Sequence, residues 1–180
     1  MRIYSVPVLL LASLFIQSPA NSENNSDGVQ VGPWFVAPMD KSPTCIAVQM
    51  TDVGQGLVVE YYAKNGNVWL GAENKNATSV AEGTKLKLKV EFLHRKRLDD
   101  GWGEQEFTTM VHPDGTRVFR SWALTKQMLD DLSSEDFIAI MNGDKMVAGA
   151  VLTGSTAMVA KLRECSNKAA GLDPNDPFIP

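Results

Sequence analysis

Between positions 85 and 92 the chain alternates without a break, Leu86, Leu88, Val90 and Phe92 falling between Lys85, Lys87, Lys89 and Glu91. Successive side chains of an extended strand point to opposite faces, so this segment reads as a strand with one buried face and one wet face. A helix would scatter the same apolar residues around its circumference. The alternation therefore demands a sheet with one side covered and the other in water.

The surrounding sequence supplies the rest of that sheet. Residues 45–50 and 56–62 are short, apolar and rich in β-branched and aromatic side chains. Asn65, Gly66 and Asn67 make a turn before a strand at 68–71. Strands at 105–111 and 117–123 flank His112-Pro-Asp-Gly-Thr116, a connecting turn. Strands at 137–141 and 146–152 flank Asn142-Gly-Asp144, a hairpin turn. Phe137, Ile138 and Met141 would also suit a helix, but β-tolerant residues on both sides of the Asn-Gly pair favour strand. Two helices interrupt the pattern. Thr125 is placed to cap one carrying Met128, Leu129 and Leu132. Ser155 is placed to cap another, with Met158, Leu162 and Cys165 at i, i+4 and i+7 and Val159 beside them. The expected class is β-rich α+β: a mostly antiparallel twisted sheet or small sandwich of about seven or eight strands, with the C-terminal helix packed on it. The connections are too short for crossover helices, which excludes a doubly wound parallel fold.

The chain begins Met1-Arg2 and then runs apolar from Val6 to Ile16, with small residues at Ser18 and Ala20. That is the layout of a secretory signal peptide over residues 1–20, cleaved after Ala20. The apolar run is too short to cross a ~30 Å hydrocarbon core, so no integral membrane span is expected. Residues 21–32 read as a flexible leader, 33–168 as a single β-rich domain, and 169–180 as an irregular tail with prolines at 174, 177 and 180. Export changes what the only two cysteines mean. In an oxidising compartment Cys45 and Cys165 are expected to form one disulfide enclosing almost the whole domain. Loop closure of ~100 residues gives roughly 4–5 kcal/mol.

Composition excludes more chemistry than it suggests. The 180 residues carry 17 Lys+Arg against 21 Asp+Glu, a net charge of -4, which argues against a nucleic-acid partner. Two Cys and two His do not make a closed zinc site, and neither metal nor cofactor is expected. His94 lies among cations and His112 opens a turn, so both read as surface residues. No nucleophile elbow, His-Glu-x-x-His pair or phosphate loop is present. Calcium binding at Asp99-Asp100-Gly101 lacks the ligand spacing of an EF-hand. Asn24 and Asn76 head sequons that matter only in a host that glycosylates exported chains. Charge segregation is the strongest surface feature. Six cations and one acid lie between Lys85 and Arg97, and four acids with no cation between Asp99 and Glu106. The two blocks can pair across a hairpin or form a polarised surface for a protein partner.

The run Leu152-Thr-Gly-Ser155, followed by Met158, Leu162 and Cys165, and preceded by Trp34 and Cys45, resembles a group of small exported bacterial proteins. The nearest named members are the invasion-associated locus B proteins. The likeness is architectural and runs thinly from Trp34 to Cys165. The lone cysteine pair and the charged segment 93–106 depart from the pattern. It implies a periplasmic or secreted, non-enzymatic β-rich protein of the bacterial envelope with a disulfide, and brings no catalytic residues with it. The expected function is therefore protein binding through a surface, as inhibitor or immunity protein, stress factor or host-interaction factor. The expected contacts are Arg95, Lys96 and Arg97, with an exposed Trp102 nearby. The alternative is a secreted hydrolase using a carboxylate pair from Asp99, Asp100 and Glu104 beside Trp102. The more economical reading of those acids is a solvated hairpin tip containing Gly101 and Gly103.

Overall fold

The computed structural model of the chain describes residues 28–94, 97–121 and 124–173. Within them the elements run β1 (Val29–Val31), β2 (Trp34–Pro38), β3 (Cys45–Met50), β4 (Gln55–Tyr62), β5 (Asn67–Asn74), β6 (Lys85–His94), β7 (Arg97–Val111) and β8 (Arg117–Ser121). Then come α1 (Gln127–Ser134), β9 (Phe137–Asn142), β10 (Lys145–Val151) and α2 (Ser155–Ala169). All ten strands join one antiparallel sheet in the order β1-β2-β3-β4-β5-β8-β7-β6-β9-β10.

This corrects the expected strand count and leaves no second sheet to make a sandwich. All eight expected strands are present. The two additions are β1, which falls within the residues expected to form a leader, and β2. Both are short and sit around Gly32-Pro33, too brief for periodicity to show.

The alternation at 85–92 does what strand geometry requires. Leu88, Val90 and Phe92 are buried, while Lys85, Lys87 and Lys89 are exposed. The same inward set recurs across the sheet as Leu57 and Val59, Leu70, Phe107, Phe119, and Ile138 and Ile140. Both helices add Met128, Leu129, Leu132, Met158 and Leu162 to this one core, so both lie on the sheet's inner side. The sheet is too wide to stay flat and curls into a half-barrel, bringing β10 against β4 and β5. Small inward residues of β10, Ala148 and Ala150, permit the close approach. Asn74 Nδ2 on β5 then donates to the Val147 carbonyl of β10 at 2.6 Å.

Cys45 and Cys165 are disulfide-bonded, with their Cα atoms 5.9 Å apart. The bond ties β3 to α2. The Cys45 amide also donates to Ser166 Oγ at 3.2 Å.

The helix starts differ from expectation. Lys126 takes the N-cap position of α1 with no side-chain bond, and Thr125 contributes only its carbonyl, to the Met128 amide at 3.0 Å. Gly154, at φ +77°, is the N-cap of α2, and Ser155 is its first, buried residue. A left-handed entry suits glycine, so the helix begins on backbone conformation rather than on a hydroxyl. Residues 1–27 and 174–180, with the whole signal-peptide reading, lie outside the described residues.

Candidate functional site

The basic stretch expected to make contacts falls mostly beyond description. Arg95 and Lys96 lie between the paired strand ends His94 and Arg97, outside the described residues, as do the side chains of Arg97, Asp99 and Asp100. The charged blocks themselves are resolved further along the strands. Lys89 faces Glu104 and Lys87 faces Glu106 in register, and Lys85 Nζ meets Glu106 Oε1 at 2.9 Å. The acids thus lie along β7, not at a hairpin tip; Lys85–Glu106 pairs across the two strands, worth up to ~1 kcal/mol for an exposed pair, and Lys89 pairs with Glu91 on its own strand.

Trp102 is not the exposed platform expected. Between Val90 and Phe92 the β6–β7 register shifts, β7 taking the extra residues with Gly101 at φ +58° and Gly103 at φ +61°. This bulge turns Trp102 toward α1, half-buried against the core, where its Nε1 donates to Asp131 Oδ2 at 2.7 Å. A cavity of about 150 Å³ beside it is lined by Phe92, Gly101, Trp102, Asp131 and Glu135. The carboxylates there come from α1 and the residue after it. The described member of the expected acid set, Glu104, is exposed on the strand instead. Asp131 also accepts from Gln127 Nε2 at 3.1 Å. The arrangement clamps a helix to a bulge.

The outer side of the sheet carries a different cluster, which the sequence reading missed. Because both helices occupy the inner side, outward residues of neighbouring strands form rows on the side that no helix covers. One row runs Phe35, Val48, Val58, Gly71 and Arg120 across β2, β3, β4, β5 and β8. A second runs Ala37, Ile46, Glu60 and Trp69. Phe35 is 37% exposed, and Met50 and Met110, on the same face, are 45% and 44% exposed. Gly71, opposite Arg120, puts no side chain between the rows. The Arg120 guanidinium lies 3.8 Å over the Trp69 ring and bonds Glu60 Oε2 at 2.5 Å. Glu60 is 5% exposed and also accepts from Thr44 Oγ1 at 3.2 Å. Tyr62 sits beside this pair, its ring 6.4 Å from that of Trp69. Its hydroxyl pKa is raised, first by burial and then by the neighbouring Glu60 carboxylate, against the opposing Arg120 charge. The only legible signal for this cluster was the outward register of Glu60, Trp69 and Arg120, which needs the strand pairing to be known.

No protein-family model matches the chain, and no curated protein or solved structure matches it. No helix among the described residues is long and apolar enough to cross a membrane.

Proposed function

We propose that this is an exported, non-enzymatic binding protein of the bacterial envelope, acting through a protein–protein surface on the outer side of its sheet. The observation that supports this reading most is the open row of Phe35, Val48 and Val58 beside the Trp69–Arg120 stack. A partly exposed apolar stripe next to aromatic and arginine side chains has the composition of an interface hot spot. The Glu60 bond holds Arg120 in place before any partner arrives, so less side-chain entropy is lost on docking. The Cys45–Cys165 bond is consistent with an oxidising location. The resemblance to the invasion-associated locus B proteins points the same way. Cleavage after Ala20 would leave a mature protein beginning at Asn21, one unit more negative through loss of Arg2. Arg95, Lys96 and Arg97 remain in the proposed contact set.

Affinity capture of the mature protein from its own envelope fraction tests the reading, with three baits compared: wild type, Phe35→Ser with Met110→Ser, and the triple Arg95→Glu, Lys96→Glu, Arg97→Glu. A specific partner retained by wild type and lost by the first variant supports the outer face. Loss only with the triple variant moves the contact to the basic stretch. Retention by all three removes both.

A further inference from the structure

Tyr61 projects inward from β4 and is only 4% exposed. A phenol with a buried ring normally finds a partner for its O–H. This one ends at the floor of a cleft of about 250 Å³ between the two helices. Lys126 and Asp130 form one wall and Arg163 and Asn167 the other. Each wall is an i, i+4 pair, so its two side chains stand one turn apart on the same face.

The electrostatics are one-sided. Arg163 Nη2 bonds Asp130 Oδ1 at 2.7 Å, which holds the guanidinium across the cleft and leaves its other N–H groups to a ligand. Burial raises the Tyr61 pKa, and the nearby Arg163 charge opposes that only in part. The hydroxyl is therefore a neutral donor at physiological pH. Two cations against one carboxylate leave the lining with one net positive charge. The strand beside the floor is tied to one wall, since Tyr61 lies opposite Cys45 in the β3–β4 ladder and Cys45 is disulfide-bonded to Cys165 on α2. Such a site is formed before its ligand arrives.

We infer that this cleft binds a small carboxylate monoanion, held by Arg163 and Lys126, with the Tyr61 hydroxyl and the Asn167 amide donating to its oxygens. A single negative charge matches the lining, whereas a phosphate dianion would leave one charge uncompensated. Pockets for drug-sized molecules run to roughly 300–1,000 Å³, so the occupant is smaller than those. The cleft lies on the helix side of the sheet, and the inference does not depend on the outer-face reading.

The test is amide and side-chain NMR of the disulfide-bonded mature protein, titrated separately with sodium acetate, inorganic phosphate and sodium chloride. Acetate is expected to give saturable shifts confined to Tyr61, Lys126, Arg163, Asn167 and their neighbours, at lower concentration than phosphate, with chloride giving none. Tyr61→Phe keeps the ring and removes the donor, and should weaken acetate binding about ten-fold, the usual worth of a hydrogen bond to a charged group. Lys126→Gln changes only an exposed side chain and should weaken it as well. Lys161→Gln removes a cation paired with Glu164 outside the cleft and should leave it unchanged. No saturable shift with acetate overturns the inference, as does Tyr61→Phe binding like wild type. Equal losses in Lys126→Gln and Lys161→Gln would also overturn it, showing a diffuse charge effect. Tighter binding of phosphate would overturn the assignment to carboxylates.

Discussion

Gly101 shows how much one residue decides near Trp102. At φ +58°, with Val90 O only 2.4 Å from where a Cβ would sit, no other residue fits without moving β6. Gly101→Ala is expected to cost about 2 kcal/mol or more in urea denaturation, from backbone strain and a backbone clash. Trp102→Phe keeps the ring packing and removes the bond to Asp131. Its expected loss is about 1 kcal/mol, limited because the pair is half in solvent. Tyr61 and Tyr62 set a pH limit. Both have hydroxyl pKa values raised above the ordinary 10.0, mainly by burial. The native state therefore favours the neutral phenols. That contribution is complete below the unfolded value and is lost as pH rises through the folded one. Denaturation midpoints measured from neutral pH into the alkaline range should fall above about pH 10, and less steeply in Tyr61→Phe.

At the scale of elements, legibility followed length and turn chemistry. The 85–92 alternation and the turns at Asn65-Gly66, Asp114-Gly115 and Asn142-Gly143 located eight strands because a period of two and a left-handed glycine are local properties. Asp114 illustrates this. Its carboxylate accepts the Thr116 amide at 2.9 Å, which holds its pKa below the ordinary carboxylate value, and the turn is complete within five residues. β1 and β2 escaped notice because three and five residues around Gly32-Pro33 carry too little pattern. The caps were misplaced for a different reason. Ser and Thr are good caps in general, but Gly154 starts α2 through a backbone angle that sequence does not display. The close approach of β10 to β4 and β5 rests on small inward residues. Ala148→Leu should overfill that contact and cost about 1–3 kcal/mol by thermal or chemical unfolding, whereas Met146→Leu, on an exposed position, should change little.

At the scale of the whole molecule, two cysteines 120 residues apart join the third strand to the last helix. That pairing was legible because only two cysteines exist, and because the Met158, Leu162, Cys165 spacing put the second on the inward face. Reduction, or Cys45→Ala with Cys165→Ala, should lower stability by up to about 4–5 kcal/mol in chain-entropy terms, read as a shift of the denaturation midpoint. The curl of the sheet and the site it exposes were not legible. They depend on which strands become neighbours: β5 pairs with β8 rather than β6, and only that choice brings Arg120 over Trp69. Trp102 was misjudged in the same way, since its partner Asp131 lies on a helix far along the chain. The central claim, that the outer sheet face meets a protein partner, is tested most directly by site-specific photo-crosslinking in the native host. A photoreactive residue is placed in turn at Phe35, at Met50 and at Glu164, the last exposed on α2 on the opposite side of the sheet. The account predicts a discrete protein adduct from positions 35 and 50 and none from 164. An adduct from 164 with none from 35 or 50 would contradict it.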